Sequence, residues 1–165
     1  ALLCANHISG WDPFLIAVSL PRDSRLVVMA KDELFHIPVV GFLLRKLGIF
    51  PVKRGGNDLG AMKTAIRSLN EGKRLLVFPE GTRVDSEGSV EAKGGVAVMA
   101  SRTGTPMVPV YCGTKQKFLH RTTIVFGEPY SPVIAGRRAT AEESRQAAEE
   151  ILRRIYALDE VSGWS

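Results

Sequence analysis

Arg74-Leu75-Leu76-Val77-Phe78-Pro79-Glu80-Gly81-Thr82-Arg83 is the stretch on which the fold turns. Its first half is a continuous apolar run with no polar alternation. A strand of that kind is buried on both faces, as strands inside a parallel sheet are. Its second half puts a glycine, a hydroxyl, an acid and a guanidinium at the strand's end. In open α/β sheets, ligands gather at the carboxyl ends of strands. Gly81 lets the backbone turn towards a ligand, Thr82 offers a donor, and Arg83 offers a planar fork suited to phosphate. Standing alone, the same residues also fit an ordinary strand-to-loop turn with a solvated arginine.

Outward from this strand, apolar β-rich runs alternate with helical patterns. Strands are expected at Ala1–Ala5, Arg25–Ala30, Ile49–Lys53, Met107–Tyr111 and Thr122–Phe126. A helix is expected from Asp12, as N-cap with Pro13 at the first helical position, to Leu20. Further helices are expected from Asp32 to Lys46, ending at Gly48, and from a cap at Asn57 or Asp58 to Asn70. The last two are Ala92 to Arg102, stopped by Gly104, and an amphipathic helix from Thr140 to Leu158. Strand–helix alternation argues for an α/β fold: one domain over residues 1–158, its central sheet largely parallel or mixed and flanked by helices, with a frayed tail from Asp159 to Ser165. A domain rarely begins on a core strand, so a further N-terminal segment, able to hold a membrane anchor, is expected ahead of Ala1.

The 165 residues suffice for one domain with a sizeable core, and 45% apolar against 24% charged residues excludes disorder over most of the chain. Lys plus Arg number 22 against 17 acidic residues, a net charge of +5 that favours anionic partners without choosing among them. Nucleic acid is a poor candidate, because Trp11, Tyr111, Tyr130 and Tyr156 are scattered and form no aromatic–basic stacking platform. Cys4 and Cys112 each sit in an apolar run and read as reduced core thiols. His7, His36 and His120 lack metal-ligand spacing, and neither a metal nor a bound cofactor is expected.

The sharpest polar constellation is Asn6-His7-Ile8-Ser9-Gly10-Trp11-Asp12. On one continuous helix a five-residue spacing puts His7 and Asp12 on different faces. A turn at Ser9-Gly10, between a strand and a helix, can bring them together. Asp12 then fixes the imidazole tautomer and leaves the other ring nitrogen as a general base. This is triad logic without the nucleophilic side chain, so the reacting hydroxyl has to come from the substrate. Taken alone, the pair also reads as a surface histidine beside a helix-capping aspartate. A third cluster, Gly48 to Arg54 (GIFPVKR), sets Lys53 and Arg54 past a short strand, where they can bind an anion. Each polar cluster follows an expected strand. If those strands are parallel, a His–Asp pair and several cations converge on one sheet edge.

The order N-H-x-S-x-x-D (Asn6 to Asp12), G-x-x-P-V-x-R (Gly48 to Arg54), F-P-E-G-T-R (Phe78 to Arg83) and G-x-P-x-V-P-V (Gly104 to Val110) resembles the glycerolipid acyltransferase family, of the 1-acyl-sn-glycerol-3-phosphate acyltransferase type. The similarity runs from about Leu2 to Val110, with Lys31-Asp32-Glu33-Leu34 and Lys93-Gly94-Gly95 also in place. The second block departs from the pattern: Pro51 stands where many members carry Phe, and Lys53 where many carry an acid. The resemblance implies an enzyme of phospholipid biosynthesis that moves an acyl group from acyl-CoA or acyl-carrier protein, as co-substrate, to the sn-2 hydroxyl of a lysophosphatidate. His7 would be the general base and Asp12 its orienting partner. Arg83, Thr82 and Gly81, helped by Arg54 and Lys31, would hold the acceptor phosphate. Glu80 would belong to the same site, orienting Arg83 or a backbone turn. The alternatives are another acceptor (glycerol 3-phosphate, dihydroxyacetone phosphate or a lyso-aminolipid) and a non-catalytic lipid-phosphate-binding module.

Such substrates lie in a bilayer, so a membrane surface on the cytoplasmic side is an expected partner. The Leu34–Leu44 stretch (LFHIPVVGFLL) reads either as core or as a face that dips into lipid or lines an acyl groove. Lys31, Arg45, Lys46, Lys53 and Arg54 around it suit an anionic headgroup layer.

Overall fold

Six short strands form the frame, and their order explains where the polar clusters meet. The computed structural model describes residues 1–38, 41–42, 49–52, 59–81, 94–113, 122–134 and 139–161, leaving aside the side chains of Lys31, Leu34, Val52 and Val161. Strands β1 (Leu2–Ala5), β2 (Leu26–Lys31), β3 (Ile49–Val52), β4 (Arg74–Val77), β5 (Met107–Cys112) and β6 (Ile124–Phe126) make one sheet in the order β3-β2-β4-β1-β5-β6. β1 pairs in parallel with β4 and β5, and β2 with β3 and β4. β6 lies antiparallel to β5 at the edge. The sheet is thus mixed and largely parallel, as the alternation of strand and helix patterns implies.

Successive residues of β1 feed opposite faces, as the period of two in a strand requires. Leu2 and Cys4 join Leu75, Val77, Met107 and Tyr111 in one core. Leu3 and Ala5 join Leu76, Val110 and Cys112 in the other. Among the described residues, four α-helices of eight or more residues cover these faces: α1 (Asp12–Ser19), α2 (Leu59–Asn70), α3 (Gly95–Thr103) and α4 (Ala141–Val161). Ile16 of α1 packs with the Leu3–Ala5 side, whereas Ala65 and Leu69 of α2, Val96 and Met99 of α3 and Ile151 and Ile155 of α4 pack on the Leu2–Cys4 side. The handedness of crossovers accounts for this split. From β1 the chain travels across β4 to β2; from β4 it travels the opposite way, across β1 to β5. Right-handed crossovers that run in opposite directions must lie on opposite faces. Between the carboxyl ends of β1 and β4 the two connections part, and that gap is a topological switch point, where open sheets bind ligands.

Local chemistry sets the ends of the helices. Gly104 follows α3 in the left-handed region at φ 63°, the stop expected of a glycine there. α4 opens with a capping box: the Thr140 amide donates to Glu143 Oε2 at 2.8 Å and the Glu143 amide donates to Thr140 Oγ1 at 3.1 Å. The helix does not end at Leu158 but continues through Val161, because no glycine or proline interrupts residues 159–161.

The Asp32 to Lys46 segment also departs from expectation. It begins as a 3₁₀ helix over Asp32–His36, not a long α-helix. Pro38 has no N–H to continue the ladder and disfavours helical backbone at the residue before it. A new helical turn follows, with the Gly41 amide donating to the Ile37 carbonyl at 2.7 Å. Residues 43–48, and the expected helix starts at Asn57, Asp58 and Ala92, lie outside the described residues.

Candidate active site

β1 ends at Ala5, and the next residue, Asn6, is a fully buried polar side chain. Its amide extends the sheet by imitation. Nδ2 donates to the Cys112 carbonyl at 3.0 Å, and Oδ1 accepts from the Cys112 amide at 2.7 Å. Asn6 thereby ties the end of β1 to the end of β5 and fixes where the chain leaves the sheet.

His7 comes next. Its Nδ1 lies 3.0 Å from Oδ2 of Asp12, a side chain with no solvent exposure. The same oxygen accepts the Ile8 and Ser9 amides, each at 2.8 Å. An ionised carboxylate can only accept, so the proton in the His7–Asp12 contact belongs to Nδ1, and in the neutral imidazole Nε2 then carries the lone pair. The imidazole stacks on Phe78, with centroids 4.1 Å apart and ring planes 25° from parallel. Its side chain retains 15% exposure, enough to meet a substrate.

The five-residue spacing works through a turn, as the sequence implies, but Asp12 is not the N-cap. Trp11 holds that position and makes no side-chain capping bond. Asp12 sits one residue inside the helix. Helical side chains lean towards the N-terminus, which carries its carboxylate back into the Ile8–Ser9 loop. It satisfies amides there, rather than at the helix start.

On the neighbouring strand, Phe78 to Gly81 forms a tight turn closed by the Gly81 amide on the Phe78 carbonyl at 2.9 Å, with Gly81 at φ 69°. The positive φ is where glycine costs least. Glu80 is 2% exposed, and both of its oxygens are engaged. Oε2 accepts the His7 backbone amide at 2.9 Å, and Oε1 accepts the Tyr156 hydroxyl at 2.5 Å. Burial raises the Glu80 carboxyl above its ordinary value, while the bonds from Tyr156 and His7 oppose that rise. Through Oε2, Glu80 holds the backbone turn that carries His7; Arg83, the other partner expected of it, lies outside the described residues.

The structure therefore brings His7, Asp12, Glu80 and Gly81 together at the β1–β4 gap. The backbone of Lys31 closes β2. Arg54, Thr82 and Arg83 lie outside the described residues, as does the side chain of Lys31. Cys4 and Cys112 are buried free thiols whose pKa burial pushes up, which suits packing and not nucleophilic attack. Among the described residues, no three His, Cys, Asp or Glu side chains gather as a metal site. Asn6, Phe78 and Tyr156 belong to the site as well. Asn6 and Phe78 open two of the sequence motifs, whereas Tyr156 lies in none of them.

A sequence profile of the Acyltransferase family matches residues 1–113. The 1-acyl-sn-glycerol-3-phosphate acyltransferase of Bacillus subtilis is 31% identical over 164 residues, 96% of this chain and 80% of its own length. The enzyme of the same name from Streptococcus pneumoniae is 34% identical over 110 residues, 66% of this chain. This chain covers 40% of the pneumococcal protein's length. Among solved structures, the 1-acyl-sn-glycerophosphate (LPA) acyltransferase of Thermotoga maritima superposes with a TM-score of 0.70 at 30% identity, over 99% of this chain and 67% of that one.

Proposed function

This chain belongs to the acyltransferase family, and on that premise we propose that it transfers a fatty acyl group from a thioester donor, acyl-CoA or acyl-carrier protein, to the sn-2 hydroxyl of a 1-acyl-glycerol 3-phosphate. The observation that carries this reading is the His7–Asp12 contact at 3.0 Å, with Asp12 fully buried on two backbone amides. A base oriented this firmly, at a sheet switch point and with no nucleophilic side chain hydrogen-bonded to it among the described residues, suits activation of a hydroxyl that the substrate brings.

In this mechanism His7 Nε2 takes the proton of the acceptor hydroxyl. The oxygen attacks the thioester carbonyl, and a C–O bond forms. The tetrahedral intermediate collapses with cleavage of the C–S bond, and His7 returns its proton to the leaving thiolate. General-base assistance contributes on the order of 10²–10⁴ in rate. Arg83, Thr82, Gly81, Arg54 and Lys31 are assigned to the acceptor phosphate by the sequence motifs. Holding the phosphate also places the hydroxyl against His7. The reaction consumes a lysophospholipid and produces phosphatidic acid.

The acceptor is a membrane lipid, so the reaction takes place at a bilayer surface, on the cytoplasmic side where acyl thioesters are made. No helix among the described residues is long and apolar enough to cross a membrane. Apolar side chains that face outward support an interfacial reading. Trp11, Phe14 and Val18 lie along one side of α1, and Phe42 is 58% exposed. Among the described residues of the Leu34–Leu44 stretch, Phe35 lies in the core and Ile37 and Phe42 lie outside it.

The direct experiment supplies lysophosphatidate with acyl-CoA or acyl-carrier protein and detects the thiol released. Acceptor-dependent thiol release with at least one donor is expected. Release with neither donor, or release with a lyso-aminolipid in place of lysophosphatidate, overturns the assignment.

A further inference from the structure

We propose that Tyr156, on the C-terminal helix α4, is a positioning residue for this site: its hydroxyl fixes the Glu80 carboxylate that holds the backbone amide of His7. The inference rests on the acyl-transfer reading for its catalytic consequence, but its geometry stands independently. Tyr156 lies beyond residues 1–113, the segment that carries the family pattern.

The chain of contacts is short. The Tyr156 hydroxyl donates to Glu80 Oε1 at 2.5 Å, and Glu80 Oε2 accepts the His7 amide at 2.9 Å. A hydroxyl-to-carboxylate bond of that length is in the charge-assisted class. The carboxylate has one torsion left to set its plane, and a partner on each oxygen fixes it. The place of the hydroxyl is in turn set by packing. The Tyr156 ring meets Tyr111 of β5 edge-on, with centroids 6.4 Å apart. Tyr111 is 2% exposed, and Ile151 and Ile155, on the turns of α4 before Tyr156, are fully buried. One turn of that helix is also fixed by Arg154, whose guanidinium lies 4.3 Å from the centre of the Tyr130 ring.

His7 is therefore held at three points by two parts of the chain, the start of α1 and the turn after β4. Asp12 holds its Nδ1, Phe78 its ring face, and Glu80 its backbone. The last support alone depends on α4. Without the Tyr156 hydroxyl, Glu80 loses a donor to its charged form. Its titration then rises further, and the His7 amide faces a carboxyl that is more often protonated and a weaker acceptor. The charged and titratable groups facing Glu80 among the described residues are His7 and Asp12 from the β1–α1 turn and Tyr156 from α4.

Tyr156→Phe keeps the ring and its contact with Tyr111, so the fold is retained, which a thermal melt checks. Two readouts follow. In the isotope-labelled chain, the His7 amide resonance titrates with Glu80, and its midpoint moves to higher pH in Tyr156→Phe. In the transfer assay, kcat falls about tenfold with the acceptor KM unchanged, the size of one charge-assisted hydrogen bond at the low end of its range. Combined with Glu80→Gln, which keeps an acceptor for the His7 amide but removes the charge, Tyr156→Phe adds less than about twofold, because the two changes act through one contact. An unmoved amide midpoint, or losses that multiply fully in the double variant, overturns the proposal. If the unaltered chain transfers no acyl group, the functional reading fails while the amide titration still decides whether Tyr156 governs Glu80.

Discussion

Asp12 is buried beneath His7, with its Oδ2 3.0 Å from the imidazole Nδ1 and 2.8 Å from the amides of both Ile8 and Ser9. One oxygen thus shapes the turn and selects the tautomer. The positional demand on the side chain is strict, because moving it disturbs the loop and the base together.

Asp12→Asn tests that demand. If the amide oxygen takes the Oδ2 place, it accepts from the loop and from His7 without a charge to stabilise the imidazolium; if the Nδ2 group takes it, that group donates towards His7, favours the wrong tautomer and opposes both loop amides. By analogy with the Asp-to-Asn change in the serine-protease triad, the expected loss in kcat is on the order of 10⁴. The melting temperature should drop as well, since bonds to a charged acceptor are replaced by bonds to a neutral one. Steady-state kinetics and a melt on the same preparation check both effects. A turnover within a few-fold of the unaltered chain contradicts the orienting role.

Glu80 makes a pH prediction with a definite sign. Its native carboxyl titrates above the ordinary value of 4.5, chiefly because it is buried. The folded chain therefore holds this proton at pH values where the unfolded chain has released it. The group's stabilising contribution is complete below the ordinary carboxylate value and is lost as pH rises through the native one. Glu80→Gln removes that slope. The difference in melting temperature between the two proteins should change in favour of the Gln variant as pH rises through this window. A difference that is flat with pH, or that changes in the opposite direction, counts against a buried, raised Glu80.

Much of this could be read in the sequence, for identifiable reasons. The Leu75–Phe78 run declares a strand buried on both faces, and the His7–Asp12 spacing is closed by one local turn. Gly104 and Thr140 mark helix ends because capping is a property of a few neighbouring residues. The parts that could not be read join distant positions. Glu80 meets His7 across 73 residues and Tyr156 across 76, and Asn6 meets Cys112 across 106. Strand order decides those meetings, and no periodicity in the chain reports it. Asp12 was misplaced by one residue because a Pro at the next position fits both an N-cap and a first-turn aspartate. Only the direction of its side chain separates the two.

Phe42 separates packing from lipid contact. It is 58% exposed, whereas Phe35, seven residues earlier, is 6% exposed. Phe42→Ser should leave the melting temperature within about 2 °C, as exposed substitutions shift stability by at most about 0.5 kcal/mol, and should weaken co-sedimentation with anionic vesicles. A large fall in melting temperature with unchanged vesicle binding assigns Phe42 to the core and removes this segment from the membrane face.

The central claim is that His7 is the base, and His7→Ala tests it most directly. Thiol release from acyl-CoA or acyl-carrier protein, with lysophosphatidate as acceptor, is measured beside the thermal melt of the same variant. The imidazole is partly exposed and its backbone amide remains available to Glu80, so the variant should fold. Its turnover should fall by at least about 10²-fold, the lower bound for loss of a general base. A folded His7→Ala protein that turns over at close to the original rate contradicts the account.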